Sequence, residues 1–275
     1  GVITHRNFFV NPAEVLSDSN ALRKEHSMMP HQLNWREICQ MIPKRKADAQ
    51  KGDFGRLLCI TGSRNMPGAC LLSTQAALRG GAGLVTVATA PENPMRLAAA
   101  APEAMWLPLE ADEAGFLRSS DQNRKTLEKQ LSRANAVLLG CGLGVTEETR
   151  RLVHWVLEQA VCPVVLDADG LNCAVSCIEL SRRTGKDWIL TPHPGEMARL
   201  TGRSIPQIQE NRVETATQFA AAYPVTLALK GVGTLVAQGS RLAQNPTGNP
   251  GMSRGGSGDV LAGLIAAFAA QGIPS

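Results

Sequence analysis

Aromatic residues supply only 4% of this 275-residue chain, so its core has to be built from aliphatic side chains and small residues that let helices pack closely on a sheet. None of the seven cysteines forms a C-x-x-C pair, and no His or Cys pair completes a metal set around Cys173 and Cys177. Cys59 lies in an apolar run and Cys162 flanks another, so most cysteines read as small core residues of a reducing, cytoplasmic compartment. No apolar run reaches the roughly 18 residues that cross a bilayer, and the N-terminus has no signal-peptide core. The net charge of +4 is too small to imply nucleic acid; Lys44-Arg45-Lys46 and Arg182-Arg183 fit solvated faces. There is no G-x-x-x-x-G-K-[ST], which excludes a P-loop. There is no G-x-S-x-G, which leaves hydrolase triads unsupported.

What is present centres on residues 245–263, N-P-T-G-N-P-G-M-S-R-G-G-S-G-D-V-L-A-G. Gly255, Gly256, Ser257 and Gly258 precede an apolar run that predicts a helix. Amides converging at the positive end of a helix dipole make an anion hole. Asp259, one residue inside it, is placed to take a proton from a hydroxyl approaching a phosphorus atom. A glycine-rich turn with Asp259 as a helix-start residue accounts for the same letters.

The rest of the chain alternates. Strands are expected over 57–60, 84–88, 136–139, 163–166, 188–190 and 225–229, with a hairpin at Leu235-Val236 and Leu242. Helices are expected over 35–41, 68–79, 95–101, 126–133, 147–160, 196–201 and 206–222, before the final helix. This pattern predicts an α/β fold with a mainly parallel sheet covered on both faces. Such sheets bind ligands beyond the C-terminal ends of their strands, and the polar and glycine-rich clusters all follow strands. G-C-G-L-G (140–144) allows close backbone approach, or makes a plain strand-to-helix turn. D-A-D-G-L-N (167–172) offers Asp167 and Asp169 to a water-bound Mg²⁺ or as helix caps. H-P-G-E (193–196) offers His193 to a substrate amide or hydroxyl and Glu196 to a metal-bound water; a buried imidazole and a first-turn acid are the structural alternatives. In K-G-V-G-T, Lys230, Gly231, Val232, Gly233 and Thr234 either wrap a nucleotide phosphate or form a tight hairpin with an exposed lysine.

Together with K-G-D-F-G-R-L-L, M-P-G-A and A-A-L-R-G-G-A-G-L-V, these motifs resemble, in order from Trp35 onward, the ADP/ATP-dependent NAD(P)H-hydrate dehydratases, relatives of the ribokinase-like kinases. The resemblance implies a ribokinase-like three-layer α/β/α sandwich over residues 34–275, with 1–33 as an extension or linker. It implies nucleotide-dependent dehydration of NADHX and NADPHX with Mg²⁺ and ADP or ATP. Asp259 matches the catalytic carboxylate that contacts the hydrated nicotinamide, Ala82, Gly142 and His193 the other substrate positions, and residues 230–234 with Gly258 the nucleotide positions. The family also implies a separate or fused NAD(P)HX epimerase and a homo-oligomer, a tetramer in relatives.

Two substitutions depart from the usual pattern, Gln50 for His and Cys141 for Pro. An end at Ser275, soon after the final helix, leads to the expectation of an exposed apolar face or a covering partner. The competing readings are a hydroxymethyl kinase of the same superfamily and a catalytically silent nucleotide-binding subunit.

Overall fold

Alternate side chains of a strand go to opposite faces, and the core of this protein divides accordingly. In the computed structural model, which describes residues 30–275 apart from Leu33 and Pro43, Leu58 and Ile60 join one apolar cluster while Leu57 and Cys59 join another. Val137 and Leu139 part from Ala136 and Leu138 in the same way. Strands apolar on both faces need helices on both, which gives three layers.

The sheet has ten strands: β1 (His31–Gln32), β2 (Arg56–Ile60), β3 (Leu84–Thr89), β4 (Met105–Pro108), β5 (Ala136–Leu139), β6 (Val164–Leu166), β7 (Trp188–Leu190), β8 (Val225–Leu229), β9 (Leu235–Gln238) and β10 (Arg241–Gln244). Their order is β1-β10-β9-β8-β7-β6-β5-β2-β3-β4. Every pairing from β8 to β4 is parallel, and β9 is antiparallel to both neighbours. The chain therefore builds outward from β2 through β4, returns to the other side of β2, and builds outward again from β5. The switch lies between β2 and β5, where an open α/β sheet leaves its crevice.

Eleven α-helices lie among the described residues: α1 (Trp35–Met41), α2 (Pro67–Arg79), α3 (Asn93–Leu97), α4 (Asp121–Leu131), α5 (Glu147–Gln159), α6 (Asp169–Ala174), α7 (Leu180–Thr184), α8 (Pro194–Thr201), α9 (Ile205–Glu210), α10 (Arg212–Ala222) and α11 (Ser257–Ala270). Because crossovers are right-handed, reversing the direction of growth moves the connecting helix to the other face. The apolar residues of α5, α6, α8 and α10 accordingly join the first cluster and those of α2 and α11 the second.

Three expected helices need correction: the one expected over 95–101 is α3, which ends at Leu97. The helix expected over 206–222 is two, broken at Asn211, whose φ of −127° and ψ of 45° leave the helical region. The helix expected from 126 begins at Asp121, because the Ser120 hydroxyl accepts from the Asn123 amide and caps it there. The edge strand β4 was not expected. Of the proposed 1–33 extension, residues 1–29 and 33 lie outside the described residues, while His31–Gln32 pair in parallel with β10. No described helix is long and apolar enough to cross a membrane.

Helix α11 is seated by small residues. Leu72 meets Gly256, Ser73 and Ala76 meet Gly263, and Gly80 meets Ala267, so α2 and α11 run parallel with both N-termini toward the strand C-termini. Outward, Val260 and Phe268 are partly exposed at 36% and 37%. At Gly263 a Cβ would fall 2.2 Å from the Ser73 carbonyl oxygen and 2.9 Å from the Ala76 Cβ. Gly263→Ala should therefore lower stability by roughly 1–3 kcal/mol in a thermal or urea melt. Gly68→Ala, in the first turn of α2 with nothing within 4 Å of the added methyl, should be neutral or slightly stabilising; equal losses in the two variants would refute the seam.

Candidate functional site

Parallel strands bring their following loops to one rim, and the structure gathers there the turns after β2, β5, β6, β7 and β8. The β2 and β5 turns are joined directly: the Gly62 and Ser63 amides donate to the carbonyls of Cys141 and Gly142, at 2.9 and 2.6 Å. The β5 and β6 turns interlock. A side chain on Gly140 would strike the Asp167 carbonyl oxygen at 2.0 Å, so only glycine serves there. Between Asp167 and Asp169, Ala168 takes φ 50° and ψ −119°, the one positive-φ non-glycine among the described residues. Such a conformation costs on the order of 1–3 kcal/mol. It turns the two aspartates into different tasks.

Asp169 faces back: its Oδ2 accepts the Gly144 amide at 2.8 Å and pins the β5 turn. Asp167 faces the crevice and is only 2% exposed. Its Oδ1 accepts from Lys230 Nζ and from the Thr191 hydroxyl, both at 2.7 Å. Its Oδ2 has a weak thiol contact from Cys141 at 3.9 Å. Lys230 is not the exposed hairpin lysine that one sequence reading allowed. Its side chain is 18% exposed and its ammonium also lies 3.7 Å from Glu196 Oε2.

The loop carrying Lys230 is held from below. Arg212 donates to the carbonyls of Leu229 and Lys230 at 3.0 and 3.2 Å, and the Lys230 amide donates to the Pro192 carbonyl. Val232 stands fully exposed at the loop tip, and Thr234 turns its hydroxyl back to the Gly231 carbonyl.

His193 and Glu196 cap α8 reciprocally. His193 Nδ1 accepts the amides of Gly195 and Glu196 at 3.0 and 3.3 Å, while Glu196 Oε2 accepts the His193 amide at 2.8 Å. An Nδ1 that accepts carries no proton, so the proton sits on Nε2, 3.2 Å from Glu196 Oε1. Burial, reinforced by nearby Lys230, lowers the His193 pKa and agrees with a neutral ring. Burial raises the Glu196 pKa, with Lys230 opposing. Nδ1 is thus engaged within the helix start, which leaves Nε2, beside Glu196 Oε1, as the ring nitrogen for the hydrogen bond to substrate read from the sequence. The half-exposed ring can still present its face to the rim.

Over this floor stands the N-terminus of α11. Gly256 caps it in the left-handed region at φ 89°, and the first-turn amides have no partner within a helix. The space beside Gly258 is faced by Lys230 Nζ and Asp167 Oδ2, which would lie 3.5 and 3.7 Å from a methyl placed there. Asp259 closes the group: Cys141 Sγ and one carboxylate oxygen each of Asp167 and Asp259 lie within 4.8 Å of one another. Burial, then the negative charge of Asp167, raises the Asp259 pKa, which makes its carboxylate a stronger base than an exposed aspartate. The rim can thus hold a polyanion against Lys230 and the α11 amides and deprotonate a hydroxyl beside it.

The structure therefore brings together Gly142, His193, Glu196, Lys230, Gly258 and Asp259, and it separates Ala82. That residue precedes β3, so it lies at the N-terminal edge of the sheet, its amide bonded to the Ala77 carbonyl and its neighbour Gly83 to Phe54. The alanine beside Gly142 is Ala69 of M-P-G-A, with Met66 next to it; the rule that sites follow strands favours 61–69 over 80–83. The metal expectation moves as well. Glu196 and Asp169 are occupied by backbone amides, and among the described residues the convergent donors are Asp167, Asp259 and Cys141. Cys141 had been read only as a replacement for proline.

Comparison with known proteins agrees with this geometry. The NAD(P)H-hydrate dehydratase profile matches residues 57–275. A bifunctional NAD(P)H-hydrate repair enzyme of Coxiella burnetii is 40% identical over 240 residues, 87% of this chain and 46% of that protein. The chain spans about half the length of such curated relatives. An ADP-dependent (S)-NAD(P)H-hydrate dehydratase of Xanthomonas campestris is 37% identical over 85% of this chain and 78% of its own length. Among solved structures, the ADP/ATP-dependent NAD(P)H-hydrate dehydratase of Bacillus subtilis, co-crystallised with ATP/Mg²⁺, superposes with a TM-score of 0.73 at 30% identity, covering 89% of this chain and 82% of that one. A ribokinase-like superfamily protein of Enterococcus faecalis gives 0.76 at 28% identity over 90% and 82%. With the profile extending over most of its length and the matching motifs gathered at the crevice of a ribokinase-like sheet, the chain belongs to the NAD(P)H-hydrate dehydratase family.

Proposed function

We propose that residues 34–275 catalyse the nucleotide-dependent dehydration of NADHX and NADPHX to NADH and NADPH. The observation that carries this reading is Asp259, a half-buried carboxylate of raised pKa, at the mouth of a helix N-terminus faced by Lys230. Hydroxide is a poor leaving group, so the ring hydroxyl is first phosphorylated. Asp259 takes the proton as the ring hydroxyl's oxygen attacks the terminal phosphorus of the nucleotide, whose bond to the bridging oxygen breaks as the shortened nucleotide leaves. Lys230 and the amides of residues 255–258 hold the charge on the transferred group. The ring nitrogen's lone pair then expels phosphate, and loss of a proton from the neighbouring ring carbon to solvent or to the departing phosphate restores the dihydronicotinamide.

Lys230 to Thr234 and Gly258 would bind the adenine nucleotide, ADP or ATP. Gly142 and the ring face of His193 would border the nicotinamide, with Ala69 taking the place first read at Ala82. Asp167 and Asp259 present oxygen donors that suit Mg²⁺, and the ion, when bound, would neutralise phosphate charge. The same reading includes an epimerase, separate or fused, to supply the reactive hydrate epimer, and a homo-oligomer. The partly exposed Val260 and Phe268 and the bifunctional names of relatives support those two extensions.

The direct test adds purified protein to NADHX with Mg²⁺ and either ADP or ATP and follows the absorbance of the reduced nicotinamide. Recovery only with a nucleotide is expected, and the better nucleotide names the donor. A stable phosphorylated product without recovered NADH would assign a kinase instead, and nucleotide binding without turnover a silent subunit. Asp259→Asn should lower kcat by about 10²-fold or more while nucleotide binding persists.

Lys230→Met should raise KM for the nucleotide and, by stranding Asp167 without its cation, cost on the order of 3 kcal/mol of stability. Adding Asp167→Asn should restore most of the Tm but not KM. Recovery of both together would remove Lys230 from nucleotide binding.

A further inference from the structure

Cys141 is fully buried and is the one cysteine whose sulfur faces the crevice carboxylates among the described residues. Its thiol lies 3.9 Å from Asp167 Oδ2. That oxygen is the side of a nearly inaccessible carboxylate that Lys230 and Thr191 leave free, since both donate to Oδ1. Asp259 supplies the third donor, and the three ligand atoms lie within 4.8 Å of one another. In a tetrahedral site with metal–ligand distances of about 2.0–2.3 Å, donor atoms sit roughly 3.3–3.8 Å apart, so side-chain adjustments of about an ångström close the set. Two carboxylates alone suit Mg²⁺; a thiolate beside them selects ions of the zinc class.

We propose that Cys141, Asp167 and Asp259 form a binding site for a soft divalent cation such as Zn²⁺, with its fourth position open. On binding, the Cys141 thiol loses its proton to solvent and the sulfur, Asp167 Oδ2 and an Asp259 oxygen bond the ion. The ligand set then carries three negative charges, balanced by the dication and by Lys230 on the far oxygen of Asp167. The 330 Å³ hollow beside β4 offers no comparable donor set: it is lined mainly by apolar residues, with Arg56, Gln130 and Arg133. The ion would occupy the carboxylate assigned above as base, so zinc-class ions should compete with turnover; that consequence alone rests on the proposed function.

The test titrates the purified chain with Cd²⁺ and records the ultraviolet thiolate-to-cadmium charge-transfer band, a readout independent of turnover. A saturable band of one ion per chain is expected in the unaltered protein. Cys141→Ser and Cys141→Ala should abolish that band, and Asp167→Asn and Asp259→Asn should each weaken binding by at least about tenfold. Circular-dichroism melts establish that each variant is folded, and Asp259→Asn, on the partly exposed helix start, keeps the test open should a substitution at buried Cys141 unfold the chain. A band that survives loss of the Cys141 sulfur, no saturable band, or unchanged affinity in folded Asp259→Asn would overturn the site. A correct band with NADHX turnover unaffected by the ion would instead count against Asp259 as the base.

Discussion

The buried carboxylate of Asp167 constrains everything around it. A carboxylate withdrawn from water must find a cation and hydrogen-bond donors, and this one draws them from three different loops. Lys230 comes from the turn after β8, Thr191 from the turn after β7, and the thiol of Cys141 from the turn after β5. Each partner fixes the loop that carries it. The pair also explains why a lysine in a glycine-rich hairpin does not wave in solvent. Its ammonium is committed inward, where it meets the first turn of α11 as well as the acid.

Topology explains why these loops meet. Growth of the sheet in two directions from β2 opens the crevice between β2 and β5, and the same reversal moves helices from one face to the other. Helix α11 returns to the face that α2 already occupies, and the seam of glycine and alanine residues lets it lie close enough to cover β2, β5 and β6. Its first turn is thereby set over the crevice. Strain at Ala168 points the same way: Asp169 braces a neighbouring turn while Asp167 faces the crevice.

Much of this was legible in the sequence. Six buried strands, their parallel order and the gathering of strand-following loops at one rim came from apolar runs and glycine clusters. The placing of Asp259 in the first turn of the last helix came from glycines ahead of an apolar run. What escaped was settled by tertiary contact. Ala82 and Ala69 both sit in small-residue motifs near α2, and only the edge of the sheet each occupies separates them. His193 carries the letters of a substrate-binding histidine, yet its Nδ1 is committed to its own helix start, where it accepts two amides. Cys141 gives no signal in sequence because its importance comes from Asp167 and Asp259, distant along the chain. The break at Asn211 was hidden because the residues around it are acceptable in a helix.

The parallel course of α2 and α11 has a further physical meaning. Most neighbouring helices gain by lying antiparallel, where opposite dipole ends adjoin; here two like ends stand side by side at the mouth of one crevice. The close glycine–alanine seam holds together what the dipoles push apart. An anion spanning both N-termini cancels that repulsion, so a bound phosphate would complete the electrostatics of the helix pair as well as occupy a site.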